Sequence, residues 1–186
     1  MNIGFDLDGI FINSPPFIPH RVIERLYRKE NAKELTYRFP NQLEQQFRRL
    51  THVSFLRPLI NENAEFLKKL AKKNTHKRYI ISGRFGFLED ITQSLLKKHQ
   101  LNMLFHKIDF NFKNKQPHIF KDEIIKKNNI HLFVDDDLPL LHYLADHNPK
   151  TTFLWFNKKK SGKLKKNMYA ITHLSDLVTQ KFLPDL

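Results

Sequence analysis

The sequence contains no cysteine, which excludes disulfide bonds and thiolate metal ligands. No apolar run approaches the roughly 20 residues that span a bilayer. The first residues lack the basic start, long apolar stretch and small-residue cleavage site of a signal peptide. These absences predict a soluble protein without redox chemistry of its own, no membrane partner, and a cytoplasmic location, since a reducing compartment suits a chain without thiols.

Acidic residues are also few: the chain has 19 of them against 32 lysines and arginines, for a formal net charge of +13. Such a surplus favours anionic ligands, among them phosphate esters and nucleic acid. Much of it is lysine beside asparagine, a pattern equally typical of solvated helix faces. With 186 residues, 40% of them hydrophobic, the chain can form one domain with a modest insertion.

Short apolar runs rich in β-branched and aromatic residues alternate with longer amphipathic stretches, as in a parallel α/β sheet. Five strands are predicted, at residues 3–7, 78–82, 106–110, 130–134 and 151–156. Helices are predicted where apolar residues recur three or four apart, at residues 61–73, 87–99, 118–128 and 138–146. This pattern predicts an α/β, Rossmann-like fold with a doubly wound, mainly parallel five-stranded sheet.

A long insertion interrupts the alternation after the first strand. It begins with a proline-rich stretch at residues 14–19, which suits a hinge, and contains helical patterns at residues 20–28 and 41–50. We expect a core domain of residues 1–14 and 57–186 and a small helical cap of residues 15–56. The lysine-rich stretch at residues 157–166 is expected to be a solvated loop after the last strand.

The first predicted strand ends in Asp6-Leu7-Asp8-Gly9, at the carboxyl edge where open α/β sheets bind ligands. Two carboxylates placed two residues apart on a strand face the same way. An ordinary turn is one explanation of this stretch, and a calcium loop is another. The calcium loop fails because further oxygen ligands and a glutamate are needed within about twelve residues, whereas an apolar stretch follows here.

A second group of acids, Asp135 and Asp136 followed by Asp137, ends the fourth predicted strand and would open onto the same edge. Clustered carboxylates repel one another and raise their own pKa values unless a cation neutralises them. Hard oxygen ligands suit Mg²⁺. We therefore predict a magnesium site formed by Asp6, Asp8, Asp135 and Asp136, with Asp137 as a helix cap or as a supporting partner.

The second predicted strand leads into Ser82-Gly83-Arg84, which places a hydroxyl, a permissive backbone and a cation at the same edge. These groups can bind phosphate oxygens, although Ser-Gly is also a common turn. A lysine on the helix before the fourth strand could place a positive charge beside the acids of the site. Lys121 is the candidate, with Lys115 and Lys126 as rivals for its place.

In this order, these pieces resemble the motifs of the haloacid dehalogenase (HAD) superfamily of phosphatases. Asp6-Leu7-Asp8-Gly9 matches the first motif, Ser82 the second, Lys121 the third and Asp135-Asp136 the fourth, so that the match spans roughly residues 3–140. Ile10 departs from the threonine that often follows the first motif. The helical insertion and the Ser-Gly-Arg stretch are similar to the deoxyribonucleotidase-like branch.

The resemblance implies that Asp6 is a nucleophile and that Asp8 is a general acid and base whose backbone carbonyl contacts magnesium. It also implies that Ser82 and Lys121 hold the phosphoryl group and that the acidic pair completes the metal site, Asp136 most directly. The predicted activity is Mg²⁺-dependent hydrolysis of a small phosphomonoester, a nucleotide or sugar phosphate, through an aspartyl-phosphate. Alternatives are a basic nucleic-acid-binding protein and a polynucleotide-end phosphatase; no protein partner is inferred.

Overall fold

The computed structural model describes residues 1–14, 35–157 and 162–183. Its sheet contains β1 Asn2–Phe5, β2 Lys77–Phe85, β3 Lys107–Asn111, β4 Leu132–Asp135, β5 Thr152–Phe156 and β6 Met168–Ile171. All neighbouring strands are parallel, in the order β3-β2-β1-β4-β5-β6. The central strands are continuous apolar runs because helices cover both faces of the sheet. The predicted doubly wound α/β fold is thus confirmed.

Helices connect the strands, and their bounds follow the apolar periodicity of the sequence. They are α1 Gln42–Thr51, α2 Asn61–Lys73, α3 Glu89–Lys98, α4 Pro117–Lys127, α5 Leu138–His147 and α6 Asp176–Thr179. A capping box between Asn41 and Glu44 starts α1, with the Glu44 amide donating to Asn41 Oδ1 over 2.9 Å. Among these helices, none combines the length and apolar character that a membrane crossing requires.

The sheet has six strands where five were predicted, and the additional strand is β6. It pairs with β5 through the register Phe153↔Met168 to Phe156↔Ile171. As an edge strand of four residues it is apolar on one side and leaves Tyr169 44% exposed. The sequence therefore shows no continuous apolar run at this position, which is why the strand was missed.

Two hydrophobic clusters sandwich the sheet, because successive side chains of each strand point to opposite faces. Phe5, Ile80 and Val134 belong to the cluster that includes residues of α2 and α3. Phe133 and Trp155 belong to the cluster that includes residues of α4 and α5. This alternation therefore determines on which face of the sheet each residue at the carboxyl end of a strand lies.

Strand order reverses between β1 and β4, and ligands of such sheets bind in the crevice at the carboxyl ends of these strands. The two chain segments beside the insertion meet here, since Ile12 pairs with Leu59 and the Asn13 amide donates to the Pro58 carbonyl over 2.9 Å. Helix α1 coincides with the helix predicted at residues 41–50. The predicted helix at 20–28 and most of the proline-rich stretch lie outside the described residues, so the division into core and cap stays a prediction.

Candidate active site

Asp6 and Asp135 stand at the ends of the adjacent strands β1 and β4, and one lysine joins them. Lys121 Nζ donates to Asp6 Oδ1 and to Asp135 Oδ2, over 2.7 Å in each case. All three side chains are buried. Burial lowers the affinity of an amine for its proton, but the two carboxylates more than offset this and raise the pKa of Lys121, which therefore stays charged.

The competing lysines of the sequence lie elsewhere. Lys115 Nζ bonds to Glu123 over 2.6 Å, and Lys126 Nζ bonds to Asp122 over 2.7 Å, both at exposed positions. Helix α4 packs closely on β2 at Gly83, near Pro117 and Lys121. A Cβ added at Gly83 would come within 3.1 Å of Pro117 Cβ and 3.7 Å of Lys121 Cε.

Hydrogen bonds to the side chains of its own aspartates hold the loop after β4. The Asp137 amide donates to Asp135 Oδ1 over 3.0 Å, and Asp137 Oδ1 caps α5 by accepting from the Leu140 amide over 3.1 Å. The Trp155 indole donates to the Asp136 carbonyl over 3.1 Å. These contacts fix the backbone on both sides of Asp136 and leave its half-buried carboxylate directed at the first motif.

Gly9 is required where the first motif meets Asp136. Its φ of +73° is in the left-handed region, and a Cβ at this position would lie 2.0 Å from Asp136 Oδ2. The following residue, Ile10, is fully buried in the core, so its departure from the usual motif residue is a packing difference.

Asp6, Asp135 and Asp136 bring one carboxylate oxygen each to within 4.8 Å of one another. Burial raises the pKa of Asp6 to about 7, an effect that Lys121 reduces and that Asp135 reinforces. Burial and the neighbouring Asp135 and Asp6 raise the pKa of Asp136 well above its usual value. Once ionised, the three carboxylates outnumber the one ammonium group, and this oxygen donor set fits a hard divalent cation such as Mg²⁺.

Asp8 belongs to a second charged group. Arg84 donates to it in bidentate geometry, from Nε to Oδ2 over 2.8 Å and from Nη2 to Oδ1 over 2.7 Å. Arg57 Nη2 donates to the same Oδ1. Arg84 Nη1 is held by Thr92 Oγ1 over 3.0 Å. Both guanidinium groups are buried, whereas the Asp8 side chain is 33% exposed.

These contacts reverse the direction of the pKa shift expected for Asp8. Burial alone would raise it, but Arg84 and Arg57 more than offset that effect and hold the pKa of Asp8 well below its usual range. The expectation that clustered acids raise one another's pKa applies to Asp6 and Asp136 and is wrong for Asp8. His52, buried nearby, has its pKa lowered to about 3 by burial and by the same two arginines, so it is neutral.

Ser82 is buried on β2, and its Oγ accepts a hydrogen bond from the Arg84 amide over 3.4 Å. Strand β2 lies beside β1, with Ile80 opposite Phe5, so the Ser82 hydroxyl is close to the carboxyl end of β1. The structure thus brings the predicted charged residues to one sheet edge in two groups, Asp6, Lys121 and the acidic pair in one and Asp8 and Arg84 in the other, with Ser82 and Gly83 on the adjacent strand β2. Their roles stay predictions.

Two contributors to this edge were not predicted. Arg57 was one arginine among many in the sequence, and no local pattern distinguishes it. The second is Tyr37, whose hydroxyl donates to Asp137 Oδ2 over 2.8 Å. Its backbone exchanges two hydrogen bonds with the Gln116 side chain, at 2.8 and 3.1 Å. Only the folded chain shows these contacts, since the partners are far apart in sequence.

No protein-family model matches the sequence, and no curated protein matches it. Solved structures do share its fold. CbbY from Rhodobacter sphaeroides, in complex with phosphate, superposes with a TM-score of 0.61 at 10% identity, over 95% of this chain and 96% of that one. A HAD-superfamily hydrolase from Ehrlichia chaffeensis gives 0.54 at 14% identity, over 95% and 93% of the two chains.

A third similar structure is a HAD-family enzyme from Bacteroides thetaiotaomicron, an aspartate-to-alanine variant in complex with magnesium and inorganic phosphate. Its TM-score is 0.54 at 15% identity, over 86% of this chain and 95% of that one. The protein therefore has the fold of the HAD-superfamily hydrolases, as the motif resemblance implied. Similarity to the deoxyribonucleotidase-like branch stays a prediction.

Proposed function

We propose that the protein is a Mg²⁺-dependent phosphomonoester hydrolase that uses Asp6 as a covalent nucleophile. One observation carries this proposal: Asp6 lies buried at the switch point of the sheet, within 2.7 Å of Lys121 Nζ and beside two further acids. Such a site combines a nucleophilic carboxylate with groups that can neutralise phosphate oxygens. The fold shared with phosphate-binding and magnesium-binding hydrolases supports it.

The proposed reaction has two steps. An Asp6 oxygen attacks phosphorus, the ester P–O bond breaks, and an aspartyl-phosphate forms. The leaving oxygen keeps the bonding electron pair and takes a proton, from solvent when Asp8 is ionised. Water then attacks phosphorus and releases inorganic phosphate and free Asp6. In this proposal Lys121 and Ser82 donate hydrogen bonds to the transferring phosphoryl group.

Asp6, Asp135 and Asp136 would hold the magnesium ion, together with the backbone carbonyl of Asp8. When bound, the ion offsets the repulsion between the Asp6 carboxylate and the phosphate anion. It also favours the ionised form of Asp6, which burial otherwise disfavours.

Asp8 is proposed as the acid–base residue. Ionised between Arg57 and Arg84, it can accept the proton of the attacking water in the second step. Protonation of the leaving group is harder, because the two guanidinium groups stabilise the ionised carboxylate. Esters with weakly basic leaving groups, which need little protonation, should therefore react fastest.

The test is hydrolysis of p-nitrophenyl phosphate with Mg²⁺ by the wild type and by an Asp6→Asn variant. We expect wild-type turnover that EDTA abolishes and excess Mg²⁺ restores. Loss of the nucleophile should lower kcat by about 10³-fold or more. Asp90→Asn, a change in the first turn of α3, is the control and should leave turnover unchanged. Equal rates for wild type and Asp6→Asn would contradict the proposal.

Nucleotides and sugar phosphates are the proposed small substrates, and the net charge of +13 supports one alternative, binding of nucleic acid. Backbone binding weakens steeply with salt because counterions are released. A folded wild type without turnover, whose affinity for an oligonucleotide falls steeply with salt, would favour this alternative. Phosphate released from oligonucleotide ends in an Asp6-dependent manner would instead identify a polynucleotide-end phosphatase.

A further inference from the structure

The amino edge of the sheet, opposite the candidate active site, concentrates lysine. Helices α2 to α5 each lead into the parallel strand that follows, so their last turns and the connections to β2–β5 all lie at this edge. These four stretches are residues 72–77, 97–107, 126–131 and 147–152, and together they contain nine lysines and no aspartate or glutamate. Eight of the nine are exposed, and Lys107 is half-buried. We call them the amino-edge lysines.

Helix geometry accounts for only part of this concentration. Lysines in the last turn of a helix compensate the negative end of the helix dipole, and α2, α3 and α4 each end in two lysines. The other three, Lys77, Lys107 and Lys150, lie beyond the helices, at or before the start of a strand, where the dipole argument does not apply. Because the topology is parallel, all nine charges accumulate on one edge of the molecule.

Contacts at the start of β1 bring three of the four stretches together. Lys77 is opposite Asn2 in the register of β1 and β2. The side-chain amide of Asn2 donates to the carbonyl of Asn128, the residue after Lys127, over 2.7 Å. Lys107 Nζ donates to Oδ1 of the same asparagine over 3.1 Å. Lysines that are distant in sequence therefore surround one point of the amino edge.

The acids that lie next to these stretches pair with lysines and are too few to neutralise them. The pairs are Asp109 with Lys107 over 2.9 Å, Asp122 with Lys126 over 2.7 Å, and Asp146 with the further lysine Lys165. At exposed positions such pairs contribute little, and salt weakens them. The amino edge therefore keeps an excess of positive charge that attracts an anionic partner.

The chemistry of the edge favours the phosphate backbone of a nucleic acid over an anionic lipid surface. A protein docks on lipid by inserting apolar side chains, and within these four stretches Met103 is the one large apolar side chain that is exposed. Lysines, in contrast, neutralise backbone phosphates without reading the sequence. From β3 to β5 the edge spans four strand spacings, about 19 Å, which matches about five phosphates of one strand.

We propose that the amino-edge lysines form a docking surface for the phosphate backbone of a nucleic acid, bound without sequence preference. This surface is separate from the candidate active site, since Asn2 and Asp6 are four residues of extended chain, about 13 Å, apart. A nucleic acid bound at the amino edge leaves the carboxyl edge open. The inference is therefore independent of the proposed phosphohydrolase function.

The test is fluorescence anisotropy of a labelled oligothymidylate of about 20 nucleotides, titrated with the full chain at about 50 to 200 mM salt. We expect wild-type affinity in the micromolar range that falls steeply with salt. Lys77→Gln combined with Lys127→Gln should raise Kd about tenfold or more. It should also reduce the slope of log affinity against log salt by about 1.4, since each lost contact with a single strand contributes about 0.7.

The matched control is Lys113→Gln combined with Lys115→Gln, which removes the same charge from exposed lysines between β3 and α4, at the carboxyl edge. This control should change Kd by less than about twofold, since it loses no phosphate contact. Circular dichroism checks that both double variants are folded. Equal losses in the two variants, a larger loss in the control, or a wild type that does not bind at the lowest salt would overturn the inference.

Two further measurements separate the docking surface from the active site and from lipid. Saturating oligonucleotide should leave wild-type turnover of p-nitrophenyl phosphate unchanged, and inhibition would place the oligonucleotide at the carboxyl edge, against the inference. A wild type without turnover refutes the proposed function alone, because the anisotropy result does not depend on catalysis. Binding to phosphatidylserine vesicles without binding to the oligonucleotide would identify a lipid surface and overturn the inference.

Discussion

At the scale of single residues, the charged side chains of the site are held in place by ion pairs rather than by apolar packing. Lys121 is the sole cation that contacts both Asp6 and Asp135 among the described residues, and all three are buried. Without the lysine, the two buried acids lose their counter-ion and must either stay charged and desolvated or take up a proton, which is far more costly than breaking an exposed pair. The lysine should therefore affect stability as well as catalysis.

Replacing Lys121 with methionine should lower the free energy of unfolding of the metal-free protein at neutral pH by about 3–5 kcal/mol. Urea denaturation measures this. Lys126→Met is the matched control on the same helix: it breaks an exposed pair with Asp122 and should change stability by less than about 1 kcal/mol. Similar losses for the two variants would show that the buried bridge contributes no more than a surface pair.

At the scale of elements, the segment before α1 is anchored to the start of α4, the helix that carries Lys121, and to the start of α5, which follows the acidic loop. Tyr37 bonds through its backbone to Gln116, the residue that precedes α4, and through its hydroxyl to Asp137, the residue that caps α5. Asp137 in turn donates its amide to Asp135. The orientation of the acidic loop therefore depends on a contact from a segment within the insertion.

Tyr37→Phe removes the hydroxyl that Asp137 accepts from and should loosen the loop that carries Asp136. Groups that orient metal ligands typically contribute about 10–100-fold to metal affinity, so we expect the Mg²⁺ concentration for half-maximal turnover to rise about tenfold. A Mg²⁺ titration of activity measures it. Tyr169→Phe, a change at an exposed tyrosine on β6, should have no effect. An unchanged midpoint in Tyr37→Phe would show that the loop holds its shape without this bond.

Over the whole molecule, Mg²⁺ binding at the proposed site would be coupled to proton binding and to stability. The pKa of Asp6 is about 7 in the folded chain, against its usual 3.8. Between these pH values the folded chain keeps a proton that the unfolded chain has released. The stability that Asp6 contributes to the metal-free protein therefore falls as the pH rises through this window. Mg²⁺ needs the ionised carboxylates, so its affinity rises over the same range.

The stabilisation by saturating Mg²⁺ should accordingly be larger at about pH 8 than at about pH 5, because protons no longer compete with the ion for the carboxylates. Thermal denaturation with and without Mg²⁺ at the two pH values measures the difference. Asp136→Asn, which removes one ligand, should reduce the Mg²⁺ effect at both. A Mg²⁺ effect that is independent of pH would contradict the assignment of the ion to this cluster.

The sequence alone determined the α/β architecture and the edge at which the site lies. Its apolar runs are local and continuous where strands are buried on both faces, and acids that follow such runs must meet at the carboxyl ends of a parallel sheet. The edge strand β6, half exposed and only four residues long, lacked that signal. Asp6, Asp135 and Asp136 could thus be placed together before the fold was known.

Only the tertiary structure decided which basic side chain pairs with which acidic side chain. Lys121 rather than Lys115 or Lys126 reaches Asp6, because one face of α4 packs on the sheet at Gly83. Arg84 and Arg57 meet Asp8 across separations of 76 and 49 residues, and together they reverse the direction of the pKa shift expected for that acid. The physical reason is that electrostatic interactions depend on distance and burial in space, and neither quantity follows from local periodicity in the sequence.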